Sequence, residues 1–210
     1  MHKLSKNTAL GYLTLLVLAL FATGRNLVLW LSQISFLELL GSASQLFATI
    51  SCGLWLFGRI WDELLNKNRA DIFKYTAAAS GLIGFILGAL NLIINSRSLN
   101  AWGWAVNLVF TLFILVWTLY TSLKVINHKS AGLFLWIMSI FSIVTLILLA
   151  AQTAAEIYQG FMYFSPDVLF LFIIMLILDL LGLFSPVIYA VYEGISSLRA
   201  QHKKPALPRR

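Results

Sequence analysis

The sequence predicts an all-α membrane protein, a polytopic bundle of six transmembrane helices with both the N-terminus and the C-terminus in the cytoplasm. Of its 210 residues, 60% are apolar and 11% are charged, whereas soluble domains have about 45–50% and about 25%. Six apolar stretches each approach the ~20 residues that cross a bilayer as a helix. The Lys and Arg residues, moreover, gather on one side of these stretches. A lipid environment accounts for both the composition and the charge asymmetry.

The six predicted spans form a single membrane domain over residues 1–198. The spans are 9–31, 36–57, 73–95, 102–123, 131–151 and 168–192. The segment 152–167 is rich in aromatic residues, so we expect it to lie at the outer membrane surface. Residues 199–210 carry prolines and basic residues with little apolar content. That composition predicts a disordered basic cytoplasmic tail.

The first span leaves one alternative open. Basic residues precede its apolar run, and Ala22-Thr23-Gly24 is similar to a signal-peptide cleavage site. We expect an uncleaved anchor, because the apolar run resumes beyond Arg25. Cleavage would instead leave five spans and an external N-terminus.

The distribution of basic residues predicts the orientation. Thirteen of the fifteen Lys and Arg residues lie on the side of both termini: Lys3, Lys6, Arg59, Lys67, Arg69, Lys74, Lys124, Lys129, Arg199, Lys203, Lys204, Arg209 and Arg210. Arg25 and Arg97 lie on the opposite side. Because short cytoplasmic loops retain Lys and Arg, the side with thirteen is predicted to be cytoplasmic.

The same distribution bears on partners. The net charge of +7 follows from the topology and therefore indicates no nucleic-acid partner. The expected partner is the lipid bilayer. Anionic lipids at the inner face would add roughly 1 kcal/mol per basic residue near the headgroups.

Asp179 is the strongest single candidate for a functional residue. Its position in the sixth span is ~16 Å deep, at ~1.5 Å per residue, which is near the bilayer centre. A carboxylate there costs about 2.5–3.5 kcal/mol on insertion scales, so it must face the bundle, a partner group or water. Gly182 and Pro186 follow on the same side, and the proline predicts a kink. Ion coupling or recognition of a polar solute is one role; a structural carboxyl that locks helix packing is the other.

Other polar residues of the spans lie mostly in their outer parts. The further candidates for ligand or ion binding are Arg25, Gln45, Asn91 and Asn107. A water-filled crevice, open to the outside and ending near Asp179, would solvate all of them. Alternatively, helix ends simply tolerate polar groups among the headgroups. Arg25 needs a partner in either case, and Glu38, Glu156 and Asp179 are equally available for that role.

Span three carries a ridge of small residues at four-residue spacing, formed by Ser80, Gly84 and Gly88. Small residues allow two helix backbones to approach closely in a membrane. Span two has a similar strip, comprising Gly41, Ser44, Gln45, Ala48 and Cys52. We expect the ridge and the strip to pack together within one chain; the alternative is a homodimer interface on span three.

The motifs of several protein classes are missing. His2, His128 and His202 all lie outside the predicted spans, so no histidine-based metal site is expected within the membrane. There is no phosphate-binding glycine loop and no HExxH sequence. The sequence thus predicts no metal site, no cofactor and no enzymatic activity.

The plan of six short-looped spans with both termini inside resembles the substrate-binding subunits of energy-coupling-factor vitamin transporters. The resemblance covers architecture only, and it implies solute binding near the outer face. The chain departs from that family in the first span, because Ala19-x-x-Ala22 lacks the spacing of the family's docking motif.

Two hypotheses for the function follow. The first is a non-enzymatic membrane protein that handles a small solute or ion, as a transporter or as a membrane-embedded substrate-binding subunit. The second is a structural or accessory scaffold, acting with a membrane partner subunit or as a homodimer. A lipid-modifying enzyme of unrecognised chemistry is the least favoured. Short loops favour a bacterial plasma membrane, although an endomembrane would carry the same charge bias.

Overall fold

A computed structural model gives an all-helical chain, with no strand among the residues that it describes. These residues are 6–33, 35–64, 67–97, 101–126, 131–163, 165–166, 168–170, 173–174, 188, 191–192 and 195. The helices are α1 (Lys6–Ser32), α2 (Phe36–Leu64), α3 (Lys67–Ile94), α4 (Ala101–Val125) and α5 (Ala131–Tyr163). A single 3-10 turn, Asn95–Arg97, follows α3.

All five long helices are long and apolar enough to cross a membrane. The qualifying stretches are Leu10–Ser32, Leu39–Trp61, Asp71–Ile94, Ala101–Val125 and Ala131–Met162. The prediction of an all-helical, multi-pass membrane protein is therefore confirmed. The count of six spans and the cytoplasmic position of the termini stay predictions.

Most of the predicted sixth span, 168–192, lies outside the described residues, and so does the tail 199–210. Asp179, Gly182 and Pro186 fall among the residues not described. Tyr192 is described, and its ring meets that of Tyr12 edge-on, with 5.5 Å between the centroids. The region of Tyr192 therefore lies against the beginning of α1.

The fifth helix continues beyond the end that the sequence predicts. We expected this span to stop at Ala151 and the following residues to lie at the membrane surface, but α5 runs on to Tyr163. Alanine and other good helix formers fill the extension, and the first proline is Pro166. Because a residue before proline disfavours the helical conformation, the helix ends near that position.

Consecutive helices pack side by side in an antiparallel bundle. The pair α2–α3 has the most extensive contact, and α1–α2, α3–α4 and α4–α5 also pack together. Ser44 contacts Gly84 and Ser51 contacts Ala77. As residue numbers rise along α2, they therefore fall along its partner, as short connections require.

Small residues bring α2 and α3 into backbone contact. A methyl group placed on Gly84 would lie 3.2 Å from the carbonyl oxygen of Ser44 and 3.3 Å from the amide nitrogen of Ala48. On Gly88 it would lie 2.8 Å from the hydroxyl oxygen of Ser44. Gly84 and Gly88 are buried, so the ridge is covered within the chain and leaves no exposed face there for a second copy.

The third helix also approaches α4 at a glycine that the sequence analysis did not select. A methyl group on Gly81 would lie 2.6 Å from Oγ1 of Thr118, while a methyl group on Gly88 would lie 3.0 Å from Oγ1 of Thr111. Ser80, the predicted ridge residue beside Gly81, is 7% exposed. The close approach thus uses Gly81, Gly84 and Gly88, at spacings of three and four residues.

Aromatic side chains fill the centre of the bundle, and aliphatic ones face outward. Trp55, Trp117 and Tyr120 pack with rings mutually tilted and centroids 6.0–6.4 Å apart. The opposite face of α3 exposes Leu82, Ile83, Ile86, Leu90 and Ile93. Exposed aliphatic surface of this extent marks contact with another apolar phase, which for these helices is lipid.

The Gly84→Ala substitution should destabilise the fold. The added methyl group meets backbone atoms of α2 that cannot rotate away, so the two helices must separate. We expect a loss of about 1–3 kcal/mol in the free energy of unfolding, as for other overpacked sites. Unfolding by sodium dodecyl sulfate in mixed micelles would measure it.

Gly24→Ala is the matched control, because a methyl group on Gly24 meets nothing within 4 Å. Both substitutions bring the same helix-propensity gain of up to ~1 kcal/mol. Equal unfolding midpoints for the two variants would contradict the close approach at Gly84.

Candidate functional site

Most hydroxyl groups of the bundle bond within their own helix. Each of these side chains donates to a carbonyl oxygen three or four residues earlier, at 2.7–3.2 Å: Thr14, Thr23, Thr49, Thr111, Thr118, Thr121, Ser139, Ser142 and Thr145. This bond satisfies the hydroxyl without any ligand. These residues therefore let the bundle bury polar side chains at low cost.

Ser51 joins three helices through its single hydroxyl. It donates to the carbonyl oxygen of Ala77 on α3 at 2.6 Å, and it accepts the indole N–H of Trp117 on α4 at 2.9 Å. Ser51 is fully buried and Trp117 is 2% exposed. Neither residue was a candidate in the sequence, because the bond with Trp117 joins positions 66 residues apart.

A double-mutant cycle should detect the bond between Ser51 and Trp117. We expect Ser51→Ala and Trp117→Phe to be non-additive by about 0.6–1.7 kcal/mol, the usual range for interhelical hydrogen bonds in membranes. The measurement is the free energy of unfolding of the wild type, both single variants and the double variant.

Ser142→Ala is the control, because Ser142 is equally buried but bonds only to Met138 of its own helix among the contacts described. Its cycle with Trp117→Phe should show no coupling. Additivity in the Ser51 cycle as well would exclude the bond.

Two of the sequence-predicted amides are engaged within the chain. Asn91 is 7% exposed, and its Oδ1 accepts a hydrogen bond from Nδ2 of Asn95 at 2.6 Å. Its amide also lies 3.4 Å from the position that a methyl group on Gly41 would occupy. Asn107 donates to the carbonyl oxygen of Gly103 at 2.8 Å. Both amides therefore contribute to helix structure at this end of the bundle.

Gln45 and Arg25 are half-buried. Together with Asn91 and Asn107 they lie toward the end of the bundle where α1 joins α2 and α3 joins α4, which we call the hairpin end. Arg59, Lys74 and Lys124 lie toward the opposite end, where Lys74 approaches Asp71 at 3.8 Å. The two ends thus differ in charge, as the sequence predicts for a membrane protein.

Arg25 binds the residue next to it in α1. Its Nη1 donates to Oδ1 of Asn26 at 3.1 Å. Asn26 is only 1% exposed, and its Nδ2 has no hydrogen-bond acceptor among the described residues. Most other buried amides and hydroxyls described above have partners, so Asn26 is an exception at the hairpin end.

The packing of α1 explains why Asn26 is buried. It continues the buried stripe of the helix at alternating spacings of three and four residues: Tyr12, Leu15, Ala19, Ala22 and Asn26. This stripe faces α2, because Ala19 lies 3.8 Å from the position of a methyl group on Gly53. The spacing of the stripe was visible in the sequence, and it is the signal that could have identified Asn26 as a buried amide.

Comparison with known proteins adds no relative. No protein family, characterised protein or solved structure matches this chain. The functional argument therefore depends on its own residues, of which the Arg25–Asn26 pair is the best-defined candidate site among those described.

Proposed function

We propose that this chain is a non-enzymatic integral membrane protein that handles a small solute or ion. It acts as a transporter or as a membrane-embedded substrate-binding subunit. The site is a polar crevice that opens at the hairpin end, includes Arg25, and ends near Asp179 as its deep polar anchor. The observation that carries the proposal is the buried amide of Asn26, whose Nδ2 has no acceptor among the described residues.

The cost of that amide is the physical argument. An amide N–H without a partner in an apolar environment costs several kcal/mol, and a bilayer interior offers no water to replace the partner. Arg25, a cation within a membrane-spanning helix, adds a second costly group beside it. Such groups are typical of substrate and ion pathways, where a bound solute supplies the missing acceptor.

The charge pattern supports the orientation of the site. Basic residues gather at the end of the bundle opposite to Arg25, and the positive-inside rule assigns that end to the cytoplasm. The crevice then opens to the outside. A bacterial plasma membrane, with anionic lipids at the basic face, is the proposed location.

Asp179→Asn should abolish solute handling without affecting folding. The substitution keeps the shape of the side chain and removes the charge that the proposal assigns to solute or ion recognition. We would reconstitute the protein in liposomes and measure uptake or retention of radiolabelled amino acids, organic acids, vitamins and alkali cations. Wild type should take up or retain at least one of them, and the variant should lose at least tenfold of that activity, the equivalent of about 1.4 kcal/mol.

Asp71→Asn is the matched control, because Asp71 is exposed at the opposite end, next to Lys74. It should retain wild-type uptake. Unchanged uptake in the Asp179 variant, or no uptake by wild type of any solute, would contradict the proposed function.

A scaffold or accessory subunit without transport is the second candidate. The observation that favours it is the set of bonds that tie α2 to its neighbours, made by Ser44, Ser51 and Trp117. In that case Asp179→Asn would lower the melting temperature of the protein, and no solute would be taken up. The ridge of Gly84 and Gly88 would then be the more sensitive surface.

A further inference from the structure

Two buried hydrogen-bond donors lie on one face of α1 near its end. They are Nδ2 of Asn26 and the indole Nε1 of Trp30, and neither has an acceptor among the described residues. Four residues separate them, so they lie one turn apart on the same side of the helix. Tryptophan at a membrane boundary commonly directs its N–H to water or headgroups. Here the nitrogen is buried within the protein, so its acceptor must come into the bundle.

The bond from Arg25 determines the direction of the Asn26 amide. A guanidinium group only donates hydrogen bonds, so the atom that it contacts at 3.1 Å must be the amide oxygen. This contact removes the usual ambiguity between the oxygen and nitrogen of an asparagine side chain. The NH₂ group is therefore directed away from Arg25, and it remains a donor.

The chemistry of these groups is one-sided. Arg25, the amide nitrogen of Asn26 and the indole of Trp30 offer positive charge and N–H groups, while the one acceptor, Oδ1 of Asn26, is already engaged by Arg25. A partner must supply oxygen lone pairs, and a negative charge would strengthen each bond. A carboxylate meets both requirements, since its two oxygens accept several hydrogen bonds at once.

We infer that the end of α1 binds the carboxylate group of a small organic acid, with Asn26 and Trp30 as hydrogen-bond donors and Arg25 as the neighbouring cation. This inference rests on the proposed function and names the chemical class of its solute. Asn26 is followed by six residues to the end of α1 at Ser32, so the group would lie ~9 Å below that end. A carboxylate of the chain itself is the other source of the same chemistry.

The binding test uses the purified full-length protein in lipid nanodiscs. Lactate, benzoate and glutamate are titrated against lactamide, benzamide and glutamine, which keep the shape and replace a carboxylate by a neutral amide. We expect at least one carboxylate to raise the melting temperature and to bind at least about tenfold more tightly than its amide. Equal binding of each acid and its amide, or no binding of any acid, would overturn the inference.

Asn26→Asp is the decisive variant. It is isosteric and replaces the donor by a carboxylate beside Arg25, so the ligand-free protein should keep its melting temperature while binding of the acid is lost. Trp30→Phe removes a single donor and should weaken binding about 5- to 10-fold. Trp136→Phe, at an exposed position of α5, is its control and should bind as wild type. If Asn26→Asp does not accumulate, the Trp30 and Trp136 variants alone decide the outcome. Undiminished binding by Asn26→Asp or by Trp30→Phe would overturn the site.

A third set of variants distinguishes a ligand from a carboxylate of the chain. Glu38→Gln, Glu156→Gln and Asp179→Asn are compared for ligand-free melting temperature, each alone and combined with Trp30→Phe. Additive effects support an external carboxylate. A destabilisation that Trp30→Phe cancels would show that the chain fills its own site, and would overturn the inference. Uptake of another solute, lost in Asp179→Asn, would leave the proposed function standing even then.

Discussion

The close approach of α2 and α3 at Gly84 is the constraint on which the rest of the bundle depends. Helices in lipid gain little from the hydrophobic effect when they associate, so they rely on van der Waals packing and interhelical hydrogen bonds. Gly84 provides both, because it lets the backbones touch and accepts the hydroxyl of Ser44 at 2.8 Å. Ser44 and Ser51 are one heptad apart, as are Ala77 and Gly84. Two hydrogen bonds at that interval determine the register of the pair.

The position of α4 follows from the same surface. Gly81 and Gly88 leave space for Thr118 and Thr111, and the indole of Trp117 reaches across to Ser51 on α2. These contacts make α2, α3 and α4 one unit with few exchangeable parts. The helices α1 and α5 pack on the outside of this unit, and both expose many large apolar side chains. Polar groups of α1 are therefore held against a firm neighbour, which is the arrangement that a binding site requires.

The polar residues of the hairpin end divide into two kinds. Asn91 and Asn107 form hydrogen bonds inside the chain, and their burial costs little. Asn26 shares its oxygen with Arg25 while its nitrogen has no acceptor among the described residues. Similar residue types at similar depths thus serve different purposes. The difference depends on the neighbours of each amide rather than on its identity, and it is the reason for proposing a ligand at α1.

The sequence by itself determined the class of the protein, its long helices and the small-residue surface of the third span. Composition and apolar run length report the environment of each segment directly, because lipid requires some twenty apolar residues in a row. The end of α5 escaped prediction, since its alanine-rich extension resembles neither a span nor a loop. Gly81, Ser51 and Trp117 escaped because their roles depend on helices distant in sequence. The partner of each polar group was likewise decided only by the tertiary structure: helical spacing predicts which face a side chain occupies, whereas the packing of neighbouring helices decides what it meets there.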